Sequence, residues 1–116
     1  LTLMNTQFTN GGAPCYINLS PNEDYVITAN YMGGSISVLP LDASGRLSEN
    51  VSTFAFTGEG ENKIRQSQPH LHCVEFTPDG KFLLANDLGT DKIHVFPLTP
   101  QGKLDEMGLF GKIRNK

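Results

Sequence analysis

Two histidines separated by one residue are the part of the sequence best suited to acid–base or metal chemistry. His70 and His72 flank Leu71 at the start of an apolar run. Histidine exchanges protons near neutral pH and is a frequent metal ligand. On a regular strand alternate residues share a face, so both imidazoles would point the same way. The segment predicts a site for a general acid or base, or for a divalent ion such as Zn²⁺.

Other polar side chains lie on either side of this segment. Lys63, Arg65 and Gln66 precede it, and Asp87 and Asp91 follow it. Arginine binds phosphates and carboxylates through two parallel hydrogen bonds, and lysine supplies a mobile point charge. Asp at such positions also commonly makes turns, so Asp91 is equally well explained as a turn residue. These residue types suit the binding of an anionic substrate.

A metal site is the weaker interpretation of the two histidines. A catalytic zinc usually has three protein ligands, and the nearest further candidates, Asp87 and Asp91, lie in a different loop. We therefore expect neither a metal nor a cofactor. The third histidine, His94, lies within a predicted strand, and we expect it to be an ordinary residue at a blade edge.

The elements that carry these residues form an internal repeat. Residues 20–49 read SPNEDYVITANYMGGSISVLPLDASGRLSE, and residues 77–106 read TPDGKFLLANDLGTDKIHVFPLTPQGKLDE. The two copies align without a gap, and each alternates β-rich runs with Gly, Pro, Asn and Asp turns. The predicted strands are CYINL, YVITANY, SISVLPL and VSTFAF in the first copy, and LHCVEF, FLLAND, KIHVFPL and the weaker EMGLF in the second.

A repeated four-stranded unit of this length is typical of β-propeller blades. We predict an all-β chain with two antiparallel blades at about residues 11–57 and 70–110, a loop at 58–69 and a tail at 111–116. Two blades leave apolar surface open. Because the chain also begins with Leu1 rather than Met, we expect it to be a fragment of a longer propeller.

The blade geometry places the candidate residues on one rim. In an antiparallel meander, the loop before the first strand and the loop between the second and third strands lie at the same end. The two copies differ there, because Ala13, Cys15 and Asn30 stand where the second copy has His70, His72 and Asp87. The histidines are therefore not needed to build a blade, which favours a functional role for them.

The amino-acid composition limits the kinds of molecule that the protein is expected to bind. The net charge is −3, and the nine Lys and Arg residues are scattered along the chain. We therefore expect no nucleic-acid partner, and no apolar run approaches the roughly 20 residues needed to span a bilayer. Two cysteines are too few for a disulfide framework, and we predict that Cys15 and Cys73 are reduced core residues. We expect a cytoplasmic protein.

The combination of RQ, PHLH, FTPDGKFL and DLGTDK, in that order, resembles the lactonase family of seven-bladed propellers. The similarity extends over about residues 11–106. It implies that these are two of seven blades, with the remaining blades as partners. It also implies hydrolysis of 6-phosphogluconolactone to 6-phosphogluconate in the pentose phosphate pathway.

The same resemblance assigns residue roles. His72 lies at the position of the catalytic histidine in a related carboxymuconate cyclase, just before the VEFTP run. The resemblance therefore implies that His72 is the catalytic acid or base, with Arg65, His70 and Asp87 near the substrate. We expect Lys63 and Gln66 to assist in binding. Two alternatives are a propeller that binds a ligand without catalysis and a lactonising cyclase of the muconate type.

Overall fold

The chain folds into two four-stranded antiparallel sheets that follow one another along the sequence. The computed structural model describes residues 1–98 and the backbone of residues 109–112. The strands are β1 (Pro14–Leu19), β2 (Tyr25–Asn30), β3 (Ser35–Pro40), β4 (Ser52–Ala55), β5 (Leu71–Phe76), β6 (Phe82–Asp87), β7 (Lys92–Pro97) and β8 (Leu109–Lys112). Each strand pairs with the next, giving the orders β1-β2-β3-β4 and β5-β6-β7-β8. The prediction of an all-β chain with two such units is confirmed.

The two sheets, which we call the first and second blades, repeat in detail. In each, the turn after the first strand is closed by a hydroxyl, because Ser20 and Thr77 accept hydrogen bonds from the backbone N–H five residues later, at 3.0 and 3.1 Å. Both turns contain a left-handed residue, Glu23 with φ 58° and Gly80 with φ 72°. Both first strands also carry a register shift near their start. The internal repeat is therefore present in the backbone structure as well as in the amino-acid sequence.

The core lies between the two blades. Its buried apolar side chains come from the middle strands of the first blade and from three strands of the second, and the largest fully buried ones are Ile27, Ile36, Leu71, Val74 and Leu83. Aromatic rings of the first blade extend this core, since Phe54 and Phe56 lie 6.3 and 5.9 Å from the ring centroid of Phe96. Each blade therefore buries one face against its neighbour.

Polar contacts also join the blades along β1 and β5. The Tyr16 hydroxyl donates to Glu75 Oε1 at 2.7 Å, and Asn18 Nδ2 donates to the carbonyl oxygen of Val74 at 2.9 Å. Because the Glu75 carboxylate accepts its hydrogen bond, the pKa of Tyr16 is raised to about 12. These contacts align the first strands of the two blades.

The fourth strand of the second blade differs from its prediction. The weak run EMGLF predicted a strand over residues 106–110, whereas β8 begins at Leu109 and includes Gly111 and Lys112 of the predicted tail. The β7 ladder explains the shift, because pairing continues to Lys92, whose partner is Lys112. The predicted turn at residues 99–102 lies outside the described residues.

The cysteines are free, as expected, but the prediction that both lie in the core is wrong. Cys15 is exposed and Cys73 is half-buried. Cys15 falls at the register shift of β1, and Cys73 directly follows the shift of β5. Such shifts turn side chains away from the regular alternation that apolar strands suggest. Within residues 1–98 and 109–112, no helix is long and apolar enough to cross a membrane.

Replacing Glu75 with Gln tests the contact between the first strands. A neutral amide no longer favours the protonated phenol, so we expect the pKa of Tyr16 to fall from about 12 towards the ordinary value of about 10. NMR titration of the Tyr16 ring resonances measures the change, with Glu49→Gln as the control because Glu49 has no such contact in the described part. An unchanged Tyr16 titration would contradict this packing of β1 on β5.

Candidate functional site

His72 is the extra residue of a β-bulge in β5. Leu71 pairs with Asp87 and Cys73 pairs with Asn86, so no residue of β6 stands opposite His72. A bulge bends the strand and re-aims a side chain, and bulges are common beside active sites. The side chain of His72 is exposed. Its imidazole is therefore open to a dissolved molecule, as a general acid or base requires.

His70 occupies a different environment from His72. It is only 8% exposed, and its ring stacks on Tyr31 with the centroids 4.4 Å apart. Its Nδ1 lies 2.9 Å from the carbonyl oxygen of Tyr31 and must donate, since a carbonyl only accepts. The two imidazoles do not follow regular strand alternation, because His70 precedes β5 and His72 lies on the bulge. The predicted pair is thus one buried ring and one exposed ring.

Tyr31 is a site residue that the sequence analysis missed. It follows β2 in the first blade, yet its ring contacts both histidines of the second blade. The Tyr31 and His72 rings meet edge to face at 6.2 Å and 81°. The available signal was its position, because the loop after the second strand of one blade adjoins the loop before the next blade. The site is therefore built by two blades.

Asp87 is a buried junction rather than a surface carboxylate. It is 1% exposed. Its Oδ1 accepts from the backbone N–H groups of His70 at 2.8 Å and Gly89 at 3.0 Å, and its Oδ2 accepts from the Thr90 hydroxyl at 2.7 Å. His94 Nε2 lies 3.0 Å from the same Oδ2. The expectation that Asp87 contacts the substrate does not fit this geometry, because protein donors already surround both oxygens.

The charge of Asp87 is maintained by these donors. Burial disfavours the ionised carboxylate, but the hydrogen bonds from His94, the His70 amide and Thr90 outweigh it and hold the pKa of Asp87 below its ordinary value. With Asp87 ionised, His94 Nε2 is the donor. His94 is 2% exposed and stacks on Phe56 at 4.1 Å. The prediction that it is an ordinary edge residue is wrong, because its ring faces the buried carboxylate.

Gln66 fastens the connecting loop to the turn between β6 and β7. Its Nε2 donates to the carbonyl oxygen of Leu88 and to Asp91 Oδ1, both at 2.8 Å, and its Oε1 accepts from the Asn62 amide at 2.9 Å. It is 8% exposed. Gln66 therefore stabilises the loop, and this geometry does not support the predicted contact with substrate. Asp91, with φ 57°, is a turn residue.

Lys63 and Arg65 lie at the tip of the loop that Gln66 fastens. Both are exposed. Lys63 Nζ lies 3.3 Å from Glu59 Oε1, in a pair with both side chains more than half exposed. Such an exposed pair contributes little stability and competes weakly with another anion. In the described part of the chain, the Arg65 guanidinium makes no ion pair, so both cations are accessible to an anionic ligand.

Close backbone packing holds the segment that leads to His72. A Cβ on Gly89 would lie 1.8 Å from the carbonyl oxygen of Gln68 and 2.8 Å from the His70 nitrogen. On the other side, Gly34 of the first blade packs so closely that a Cβ would lie 2.9 Å from the carbonyl oxygen of Pro69. One glycine from each blade therefore allows this segment to pass between two turns.

The described residues contain no group of three or more His, Cys, Asp or Glu side chains placed to hold a metal ion. His70 Nδ1 is occupied by the Tyr31 carbonyl, and the nearest carboxylate, Asp87, is surrounded by protein donors. The exposed polar side chains of this part of the second blade are instead the His72 imidazole and, on the loop before β5, the two cations Lys63 and Arg65. This set suits proton transfer beside an anionic group.

Comparisons with known proteins identify the family to which the two blades are similar. The family model described as a lactonase 7-bladed β-propeller matches residues 1–114. A 6-phosphogluconolactonase of Bacillus subtilis is 39% identical over 108 residues, covering 93% of this chain and 30% of that protein. A 6-phosphogluconolactonase of Formosa agariphila is 32% identical over 96 residues, covering 83% of this chain and 27% of that protein. The chain thus spans about 30% of the length of these relatives.

Solved structures show the same fold. A Bacteroides fragilis protein described as a candidate 6-phosphogluconolactonase is 50% identical, with a TM-score of 0.79, over 86% of this chain and 28% of that one. The periplasmic gluconolactonase PpgL of Pseudomonas aeruginosa is 31% identical, with a TM-score of 0.81, over 93% of this chain and 31% of that one. The two blades correspond to a similar fraction of each solved chain.

Replacing Gly89 with Ala tests the packing of the segment before His72. The new methyl group would collide with the Gln68 carbonyl, so we expect destabilisation of about 2 kcal/mol or more, within the range for overpacked sites. The control is Gly45→Ala, where nothing lies within 4 Å. That change adds only left-handed strain of about 1 kcal/mol. Thermal unfolding measures both, and equal losses would contradict the close approach.

Proposed function

Because this chain belongs to the lactonase family of seven-bladed β-propellers, we propose that the complete protein hydrolyses 6-phosphogluconolactone to 6-phosphogluconate. The observation that carries the proposal is the exposed imidazole of His72 on the bulge of β5, the strand that follows the loop carrying the exposed Lys63 and Arg65. Relatives named 6-phosphogluconolactonase support the substrate. His72 can take part in opening the lactone ring, and Lys63 and Arg65 can bind the phosphate group.

We propose that five further blades complete the ring. These two blades correspond to about 30% of each relative's length, close to the share that two blades take of a seven-bladed propeller. The site described above consists of the rim of two neighbouring blades. Further groups that face His72 across the channel would come from the remaining blades.

His72 is the proposed general base and acid. It accepts a proton from water as the water oxygen bonds to the lactone carbonyl carbon and the carbonyl electrons move to oxygen. When that tetrahedral oxyanion collapses, the bond between the carbonyl carbon and the ring oxygen breaks, and the imidazolium returns the proton to the departing ring oxygen. Histidine suits both steps because it exchanges protons near neutral pH.

Arg65 is the proposed main contact of the substrate phosphate. Its guanidinium is permanently charged and can form two parallel hydrogen bonds to phosphate oxygens. Lys63 adds a second cation, which can exchange its exposed contact with Glu59 for the phosphate. The loop tip reaches the substrate while Gln66 holds the loop base on the second blade.

We propose a cytoplasmic location for this activity. The similarity to the Bacillus subtilis 6-phosphogluconolactonase supports it, whereas one structural relative is described as periplasmic. Fractionation of cells expressing the complete protein tests the location, and recovery from the periplasm alone would contradict it.

His72→Ala should reduce kcat for freshly prepared 6-phosphogluconolactone by about 100-fold or more, since a positioned acid or base contributes 10²–10⁴-fold. The rate is corrected for spontaneous hydrolysis. Arg46→Ala is the control, because Arg46 is an exposed side chain whose guanidinium bonds the Met4 carbonyl oxygen, and its kcat should match the parent. A fully active His72→Ala variant would remove His72 from the mechanism, and an inactive parent would favour a binding or cyclase function.

Arg65→Ala should raise KM for the phosphorylated lactone by roughly 10-fold, the loss expected for a charge-assisted contact. The KM for unphosphorylated gluconolactone should not change, because that substrate lacks the phosphate. Arg46→Ala is the control, since Arg46 is an exposed cation that bonds the Met4 carbonyl away from the site. Equal effects on both substrates would show that Arg65 does not contact the phosphate.

A further inference from the structure

The two blades differ in backbone conformation two residues before their bulges. Ala13 of the first blade is left-handed, with φ 51°. His70 occupies the matching position of the second blade and is not among the positive-φ residues of the described chain. The carbonyl oxygens of both accept the same hydrogen bond, from Tyr31 N–H at 3.0 Å and from Leu88 N–H at 2.9 Å. The two blades therefore make the same hydrogen bond from two different backbone conformations.

The two blades also differ in one hydrogen bond made by a side chain at the end of the second strand. In the second blade Asp87 Oδ1 accepts from the His70 amide at 2.8 Å. Asn30 holds the matching position of the first blade and is equally buried. In the described part of the chain, its side chain bonds Thr28 at 3.1 Å and the two serines of β3 at 2.9 and 2.8 Å, and it makes no bond to the segment before its own bulge. The second blade therefore has a hydrogen bond between its second strand and the segment before its bulge, and Asp87 makes that bond.

His94 completes the link. Its Nε2 donates to Asp87 Oδ2 at 3.0 Å, and its ring lies on Phe56 at 4.1 Å. The matching residue of the first blade is Ser37, whose hydroxyl instead donates to the Thr9 carbonyl at 2.5 Å. The buried carboxylate and imidazole thus occur in the blade that carries His72, and a neutral pair replaces them in the blade that carries Cys15.

We infer that Asp87 and His94 are positioning residues that aim the imidazole of His72. Asp87 holds the amide of His70, and the residue after it, Leu71, is the last ladder partner before the bulge. Because His72 itself has no partner on β6, its direction depends on the residues on either side, together with the Tyr31 ring that meets it edge to face and the Cys15 thiol that donates to its carbonyl oxygen. This inference rests on the proposed catalytic role of His72, which it explains through the backbone that precedes it.

The test compares Asp87→Ala with Asn30→Ala in the complete protein. Each change removes a buried polar side chain at the same place in its blade, so both should lower the melting temperature. If Asp87 positions His72, its loss should lower kcat by about 100-fold, as for a reactive group misplaced by about 1 Å. KM should stay within about threefold, because ground-state binding is unaffected. Asn30→Ala should keep kcat within about twofold of the parent.

Asp87→Asn separates position from charge. Its amide oxygen can still accept from the His70 N–H, and a change of His94 tautomer can accommodate the new NH₂ group. This variant should recover most of the kcat lost in Asp87→Ala, and it serves as the readout if Asp87→Ala does not fold. A kcat for Asp87→Ala that falls no further than that of Asn30→Ala would overturn the inference.

A second readout does not depend on catalysis. The imidazole resonances of His72 should shift in Asp87→Ala and in His94→Ala and remain in place in Asn30→Ala, when measured by NMR of the folded protein. A parent without lactonase activity would refute the proposed function alone, because the resonances still report the aim of His72. Unchanged His72 resonances in Asp87→Ala would overturn the positioning role itself.

Discussion

The buried negative charge of Asp87 is the constraint on which the site depends. An ionised carboxylate removed from water is unfavourable unless donors replace the lost hydration. Here the donors come from separate parts of the second blade, namely the segment before β5, the turn after β6 and strand β7. Removing one partner of such a buried pair typically costs about 3–5 kcal/mol. The segments are thus held to one geometry by a single side chain.

The first blade shows which parts of this arrangement are scaffold. It has the same strand order and the same bulge in its first strand, yet its buried junction is the neutral Asn30. A bulge leaves one residue free of ladder pairing, so the side chain there can vary without loss of the blade. The scaffold presents Cys15 in one blade and His72 in the next. The buried charged residue, Asp87, thus occurs in the blade whose bulge carries the imidazole of His72.

Local chemistry explains why much of the fold was predictable. The turns after β1 and β5 are closed by Ser20 and Thr77, and seven of the eight strands begin within one residue of their prediction because turn residues bound them. The bulge was not predicted, because the one sequence signal for it, the slip in apolar alternation at Cys73 and Val74, does not say which residue is the extra one. Nor was the burial of Asp87, because a loop carboxylate looks the same whether or not distant donors surround it. Tyr31 was missed because its partners lie in another blade.

The site divides into a rigid part and an exposed part, and the proposed chemistry needs both. Proton transfer requires the imidazole to be placed within a fraction of an ångström, which a bulge fastened by buried hydrogen bonds can supply. The position of a cation that binds phosphate can vary more, since the charge of the phosphate is spread over several oxygens and attracts cations at longer range. Lys63 and Arg65 accordingly project from a loop that Gln66 holds on the second blade and Gln68 holds on the first. In the proposed mechanism, the reacting imidazole of His72 is therefore held rigidly, and the two cations that bind the phosphate, Lys63 and Arg65, are free to move.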